Sequence, residues 1–290
     1  MSKLLFSSLI LVASIATAQT REIAITIDDL PLVASQMGTP GNKQRATERF
    51  DKIVQALVDN KVPATGFVIA GSIEKGQWEF LEKFRDAGFM IGNHTWSHYN
   101  LNHMNADKYI ADLDRADKKL EPLFTEPKYF RYPYLAEGNN GGKQKVLDYL
   151  AEHHYQIAPV TIDSQDFRFN ERLYKVPFRT REAYIKKLKP EYLAYIWKQT
   201  LNAEKRARGN AGRQILLIHA NVLNSYVLGD IIDMYRKNGY TFISLSDALE
   251  NPAPEILLPS AEGKNEESAA PRDGSEEADF DLFQFINDTN

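Results

Sequence analysis

The feature that most constrains the fold is an alternation of strand-like and helix-like segments between residues 21 and 250. Apolar residues recur at helical spacing between the strands, as in Phe50, Ile53, Val54 and Leu57. Repeated βα units predict one parallel sheet covered by helices, either open or closed into a barrel. The predicted strands lie at residues 22–27, 64–70, 89–91, 128–131, 155–162, 214–218 and 240–243.

Five short polar motifs lie at or just beyond these strands. Because the carboxyl ends of barrel strands form the usual active-site face, this clustering favours the barrel over the open sheet. The motifs supply carboxylates, histidines and an arginine, which are the residue types that metal-assisted hydrolysis needs. They are Thr26-Ile27-Asp28-Asp29, His94-Thr95-Trp96-Ser97-His98, Arg131-Tyr132-Pro133-Tyr134, Asp163-Ser164-Gln165-Asp166-Phe167 and Leu217-Ile218-His219.

A histidine pair is the most specific of these signals. His94 and His98 are separated by three residues, so on a helical turn both rings reach one cation from the same side. Asp29 completes a set of two histidines and one carboxylate, which leaves a coordination position open as catalytic sites do. We expect one divalent ion, with Zn²⁺ as the default, while Co²⁺ or another divalent ion suits the same ligands.

Two adjacent carboxylates, Asp28 and Asp29, end the first strand. In an extended chain their side chains point to opposite sides, so one can hold a cation while the other moves a proton. The alternative is a plain turn before Leu30-Pro31. Arg131 either pairs with a catalytic carboxylate and keeps it ionised, or marks a strand exit.

In content and order the five motifs resemble those of the polysaccharide deacetylases with a NodB homology domain, carbohydrate esterase family 4. The resemblance implies an irregular (β/α)7-type barrel, a single domain with a helical insertion before the last motif. It also implies that Asp28 is the general base that deprotonates the attacking water. Asp29, His94 and His98 correspond to the metal ligands of that family.

The resemblance also implies roles for the remaining motif residues. Arg131 matches the residue that orients the base, and the backbone N–H of Tyr134 matches an oxyanion-hole donor. Asp163 matches the carboxylate that tunes the acid histidine, and His219 matches that general acid. Leu217 and Phe167 would line the pocket for the acetyl methyl group.

Two departures from the family pattern bear on the substrate. Leu30-Pro31 follows the acidic pair where glycine is usual, and Phe167 stands where tryptophan is usual. We expect N-deacetylation of N-acetylhexosamine units in peptidoglycan or a chitin-like polymer. An acetyl-ester hydrolase on xylan and a small-molecule amidohydrolase are the enzymatic alternatives. A non-catalytic glycan-binding protein is the third, and the presence of both Asp28 and His219 argues against it.

The two ends differ in kind from the centre. Residues 1–18 have the pattern of a signal peptide, with Lys3, a short apolar run and Ala16-Thr17-Ala18 as the cleavage site. This predicts a periplasmic or secreted protein with a deacetylase domain at 19–251 and no membrane span in the mature chain. The run is shorter than the ~20 residues that cross a bilayer. Residues 252–290 are predicted to be an acidic, disordered tail.

Composition adds two further expectations. The net charge is -4, without the excess of basic residues that is typical of nucleic-acid-binding proteins, so nucleic acid is not an expected partner. Residues 168–208 predict helices interrupted at Pro190, with tyrosines that either form one wall of a glycan groove or pack on the barrel. Nothing in the sequence predicts the oligomeric state.

Overall fold

The computed structural model describes residues 20–33, 37–207 and 212–256. The predicted signal peptide and nearly all of the predicted tail lie outside these residues. Strands and helices alternate as expected. In chain order they are β1 (Arg21–Leu30), α1 (Pro40–Asp59), β2 (Ala64–Val68), α2 (Trp78–Asp86), β3 (Met90–Asn93), α3 (Ala106–Leu120), β4 (Lys128–Phe130), α4 (Asn140–Glu152), β5 (Tyr155–Ile157), β6 (Ile162–Asp163), α5 (Asp166–Tyr174), α6 (Arg181–Arg206), β7 (Gln214–His219), α7 (Asn224–Lys237), β8 (Tyr240–Phe242) and α8 (Leu245–Glu250).

All strand pairs of the sheet are parallel, and the order is β5-β4-β3-β2-β1-β7-β6. The short strand β8 pairs with the start of β1. The sheet curls into an incomplete barrel covered by helices, which confirms the predicted (β/α)7-type fold in a single domain. Among the described helices, none has the length and apolar character needed to cross a bilayer.

The segment 155–162 was predicted as one strand, and this was wrong. It forms two short strands, with β5 paired to β4 and β6 paired to β7. Pro159 lies between them and has no N–H to donate to a neighbouring strand, so the ladder is interrupted there. The barrel is therefore open between β5 and β6.

Strand alternation separates the two faces of the sheet. On β1, Ile23, Ile25 and Ile27 belong to the large core beneath the helices, whereas Ala24 belongs to the smaller core inside the barrel. Asp28 has the same parity as Ala24 and therefore points inward at the carboxyl end of β1. On β7, side chains two residues apart also share one face, so His219 at the end of the strand lies on the same inward face as buried Ile215.

The segment 168–208 is helical, as predicted, but Pro190 does not interrupt it. Helix α6 continues through Pro190, which is exposed. Burial of its other face, including Leu188 and Tyr192, outweighs the missing hydrogen bond. The tyrosines and Trp197 of this segment are buried or pack against the core, which supports the packing alternative for these rings.

The folded part extends beyond the predicted domain boundary at residue 251. Ala253 is buried, and its amide donates to the carbonyl of Arg213 at 2.9 Å. The amide of Ile256 donates to the carbonyl of Val160 at 2.8 Å. Residues 252–256 therefore close part of the gap between β5 and β6, and the predicted tail starts later than residue 252.

Candidate active site

The five motifs meet at the carboxyl edge of the barrel. Asp28 ends the pairing of β1 with β7 directly opposite His219. His94 follows β3 and Arg131 follows β4, and the backbone amide of Arg131 donates to the carbonyl of Asn93 at 3.1 Å. Parallel strands thus bring together side chains that are far apart in sequence.

Asp28 and Asp29 do not point to opposite sides, contrary to the expectation for an extended chain. The pairing of β1 with β2 shifts register between Ile27 and Leu30, and Asp29 has a left-handed φ of 60°. As a result both carboxylates approach one histidine ring. Asp28 Oδ2 lies 3.8 Å and Asp29 Oδ1 lies 3.7 Å from His94 Nε2.

Arg131 holds Asp28 inside the barrel. Its guanidinium is fully buried and donates to Asp28 Oδ1 at 3.1 Å and to Thr26 Oγ1 at 2.9 Å. Its remaining N–H groups donate to the carbonyls of Ala158 and Pro159 at the barrel gap. Burial raises the pKa of Asp28 to about 6, and Arg131 counteracts that rise without cancelling it.

The predicted metal ligands lie close together. One ligand atom each of Asp29, His94 and His98 falls within 4.8 Å of the others. His98 Nε2 lies 3.5 Å from Asp29 Oδ1, and that oxygen is buried with no hydrogen-bond partner among the described residues. An orphaned, buried carboxylate oxygen between two imidazoles has the chemistry of a divalent-cation site.

The histidine pair lies on a loop rather than on the predicted helical turn. Thr95 and His98 both have left-handed φ values, and the loop is tied by Asp112 Oδ2, which accepts from the amides of Trp96 and Ser97 at 2.9 Å. Sequence reasoning missed Asp112 because it lies on α3. The two imidazole rings still meet, with centroids 4.9 Å apart.

The protonation of His94 favours cation binding. Its Nδ1 lies 2.9 Å from the carbonyl oxygen of Arg131, an acceptor, so Nδ1 carries the proton and Nε2 presents its lone pair toward Asp29. Burial, and after it the charge of His98, lowers the pKa of His94 to about 3. A neutral imidazole is the form that ligates metals.

The carboxylate that contacts His219 is Asp166, not Asp163 as predicted. Asp166 Oδ1 lies 2.6 Å from His219 Nδ1. Asp163 instead accepts from the backbone and side-chain amides of Gln165, and burial raises its pKa. The sequence showed two aspartates three residues apart, but only Asp166 begins a helix, α5, that turns its buried side chain toward β7.

Asp166 is held from several sides. It accepts from the amide of His219 at 2.7 Å, from Asn221 Nδ2 at 2.8 Å and from Asn224 Nδ2. Asn224 Oδ1 in turn accepts from the hydroxyl of Tyr192 at 3.0 Å. Although burial raises the pKa of Asp166, the His219 charge and these donors outweigh it, so the net shift is downward.

His219 is correspondingly biased toward its charged form. Burial by itself lowers the pKa of this imidazole, but Asp166 and then Asp29 and Asp28 raise it to about 10. His219 Nε2 lies 4.0 Å from Asp29 Oδ2, so the ring faces the metal-ligand cluster. A cationic imidazole at this position is able to donate a proton.

Aromatic rings flank the cluster on two sides. Tyr134 is 56% exposed, and its ring centroid lies 4.6 Å from that of His98. Phe167 is 49% exposed, and its centroid lies 6.2 Å from that of His219. Leu217 is buried beneath them on β7, which leaves the two exposed rings as walls of the site.

A sequence comparison decides the family. The model of the polysaccharide deacetylase family matches residues 16–158. The chain belongs to the polysaccharide deacetylase family. The match includes Asp28, Asp29, His94, His98 and Arg131, and it ends before Asp166 and His219, which the fold adds to the same site.

Sequence alignments with individual members of the deacetylase family extend over different fractions of the chain. A peptidoglycan-N-acetylglucosamine deacetylase of Bacillus cereus is 28% identical over 148 residues, which cover 51% of this chain and 46% of that protein. A chitin deacetylase of Colletotrichum lindemuthianum is 26% identical over 243 residues, covering 80% of this chain and 81% of that protein. The chain thus spans under half of the first relative's length.

A solved structure shares the fold at low sequence identity. A CE4 family pseudoenzyme from Bacillus anthracis superposes with a TM-score of 0.55 at 17% identity, covering 81% of this chain and 67% of that one. A deacetylase fold therefore occurs without turnover. Whether this chain is catalytic has to be argued from its own side chains.

The departure from the deacetylase pattern at Leu30 has a packing consequence. Leu30 is fully buried, and its Cδ1 would lie 2.1 Å from a Cβ placed on Gly66 of β2. Leu30 therefore fills the space that a side chain at position 66 would otherwise need. The substitution beside the acidic pair is accommodated by the neighbouring strand.

Proposed function

We propose that this protein is a metal-dependent hydrolase that removes N-acetyl groups from N-acetylhexosamine units of a polysaccharide. One observation carries the proposal. The buried carboxylate of Asp28 and the imidazole of His219, which favours its protonated form, both face the predicted metal ligands. Asp28 Oδ2 lies 3.8 Å from His94 Nε2, and His219 Nε2 lies 4.0 Å from Asp29 Oδ2. Amide hydrolysis needs such a base and such an acid at one carbonyl.

Asp29, His94 and His98 would hold one divalent ion, Zn²⁺ by default and Co²⁺ or another divalent ion as alternatives. Such an ion polarises the acetyl carbonyl and lowers the pKa of water when it is bound. The second ring nitrogen of His94 is already fixed by the carbonyl of Arg131. That bond orients the ligand and raises its basicity.

Asp28 is the proposed general base. Arg131 fixes one of its oxygens, Oδ1, while Oδ2 faces the ligand cluster. A carboxylate with a pKa near 6 is a stronger base than an ordinary aspartate and is still ionised at neutral pH. Asp28 therefore takes the proton of the attacking water.

His219 is the proposed general acid. Asp166 holds the ring through Nδ1, so Nε2 carries a proton toward the substrate side. Transfer of this proton to the sugar nitrogen lets the amine leave as the C–N bond of the tetrahedral species breaks. We assign the tuning role to Asp166 and withdraw it from Asp163.

The other predicted residues have supporting roles in the proposal. The backbone N–H of Tyr134 would stabilise the developing oxyanion, and its left-handed φ of 56° places it in a tight turn beside His98. Leu217 and Phe167 would border the acetyl methyl group. Phe167 is much more exposed than Leu217, so its ring is also available to a sugar face.

The proposed substrate class rests on the names of the relatives, which act on peptidoglycan and chitin. Residues 1–18 support export to the periplasm or medium, where such polymers lie, with cleavage before Gln19.

The test combines metal analysis with acetate release. Purified protein is assayed on acetylated peptidoglycan strands, chitin oligomers, acetylated xylan and a small acetamide, before and after chelation. Chelator-sensitive acetate release from the amide-linked glycans supports the proposal. Release only from xylan identifies an esterase, and release only from the acetamide identifies a small-molecule amidohydrolase. Metal binding without release from any substrate rejects the proposed hydrolase and leaves the non-catalytic alternative.

A further inference from the structure

Four basic side chains and three aromatic rings form a basic cluster where α1 packs on α7 and lies beside the segment that leads into α6. The spacing of Arg45, Arg49 and Lys52 places them on one face of α1. Arg181 begins α6. The rings are those of Tyr174, Phe178 and Tyr226.

The cations stack on these rings rather than on each other. Lys52 Nζ lies 3.7 Å from the ring centroid of Tyr226. The guanidinium carbon of Arg45 lies 5.5 Å from the centroid of Phe178, and that of Arg181 lies 5.8 Å from the same centroid. Cation–π contacts of this kind hold positive charge in place without neutralising it.

Among the residues that the structure describes, the cluster lacks counter-charge. Within residues 20–33, 37–207 and 212–256, none of the four basic side chains takes part in an ion pair. Burial lowers the pKa of Arg49, and the charges of Arg181 and Arg45 lower it further. A half-buried guanidinium among like charges is unfavourable until an anion binds.

A second observation is an unpaired polar group in the same cluster. The hydroxyl of Tyr174 is buried and has no hydrogen-bond partner among the described residues. Arg181 lies over the ring of this tyrosine, with its guanidinium carbon 5.1 Å from the centroid. A carboxylate bound here would accept from both the hydroxyl and a guanidinium.

The cluster adjoins the catalytic edge. Tyr226 lies in the first turn of α7, two residues after Asn224, whose side-chain amide donates to Asp166. The start of α7 thus links the cluster to the residues that hold His219.

We propose that the basic cluster binds carboxylate substituents of an acetylated glycan strand while that strand occupies the catalytic site. The inference rests on the proposed function and narrows its substrate to anionic glycans. Planar guanidinium groups match carboxylates in geometry, and exposed rings such as Phe178 suit the apolar faces of sugars. Neutral chitin-like strands would gain nothing from the cluster.

The test compares two acetylated oligosaccharides of equal length, one with carboxylate substituents and one without. Arg45→Gln and Arg49→Met remove charge from the cluster, and Arg45 is exposed, so its variant should fold. Lys198→Gln is the matched control, because Lys198 is exposed and lies about 25 Å along α6 from Arg181 at 1.5 Å per residue. Equilibrium binding of both oligosaccharides is measured beside KM and kcat for acetate release.

We expect each cluster variant to raise the ratio of the carboxylated to the neutral KM about tenfold, the loss of one charge-assisted hydrogen bond. The ratio of binding constants should change equally, while Lys198→Gln leaves both ratios at the wild-type value. Equal effects on the two oligosaccharides, or no effect, would overturn the inference while leaving deacetylation intact. Charge-dependent binding without acetate release would retain the anion site and reject the proposed function.

Discussion

The carboxylate of Asp166 contacts His219 twice, through the ring Nδ1 at 2.6 Å and through the backbone amide at 2.7 Å. One side chain thus fixes both the ring orientation and the start of the loop that leaves β7. Asn221 and Asn224 fill the remaining acceptor positions. The histidine is therefore held in place before substrate arrives.

Asp166→Asn should slow amide hydrolysis strongly, roughly 10²–10⁴-fold, because it disables a positioned acid. Hydrolysis of an activated aryl acetate should change much less, since a phenolate leaves without a proton. Asp163→Asn is the matched control and should retain most amide activity. Equal losses in the two variants, or equal losses on both substrates, would contradict the assignment of Asp166.

The same pair predicts a change in pH dependence. Because His219 must be protonated to act as an acid, activity falls as pH rises through its pKa, which the carboxylates raise to about 10. Removing the Asp166 charge lowers that pKa, so the alkaline limb of kcat in Asp166→Asn should move to lower pH. The profile is measured on the residual amide activity, and an unmoved or upward-shifted limb would rule out this coupling.

His94→Ala and His98→Ala should each abolish stoichiometric binding of a divalent ion and with it acetate release. Both rings lie within reach of the orphaned Asp29 oxygen. His103→Ala provides the control, since His103 is an exposed histidine a few residues away. Elemental analysis that finds wild-type metal content in both ligand variants would refute the metal site.

Asp28→Asn should keep the metal and lose turnover by roughly 10²–10⁴-fold, because it removes a base and leaves the three ligands in place. Metal content and acetate release are measured on the same preparation. A metal-replete variant with a near-normal rate would show that Asp28 is not the base.

Pro190→Ala should stabilise the protein by about 1–3 kcal/mol, since it restores a backbone donor in the middle of α6. Denaturant unfolding measures the change, and acetate release should be unaffected because Pro190 is exposed and outside the site. The exposed Lys187→Ala on the same helix should shift stability by less. A destabilised Pro190→Ala protein would mean that the proline favours the native helix.

The sequence by itself determined which strands, helices and site residues are present, and at which edge of the sheet the site residues lie. The alternation of strands and helices predicts the barrel, and strand period two sends Asp28 and His219 to one interior edge. The spacing of His94 and His98 brings their rings together even though the loop differs from the predicted turn. Such features depend on neighbours in the chain, so a local pattern is enough to predict them.

Only the tertiary structure decided which groups act on one another. The sequence does not distinguish Asp163 from Asp166 as the partner of His219. The path of α5 toward β7 brings Asp166 into contact with that histidine. The register shift and the left-handed Asp29 turn both acidic residues to one side, and packing of α6 on the core overrides Pro190. Each outcome depends on contacts between residues distant in the chain, whose energies outweigh the small local preferences that a sequence pattern reports.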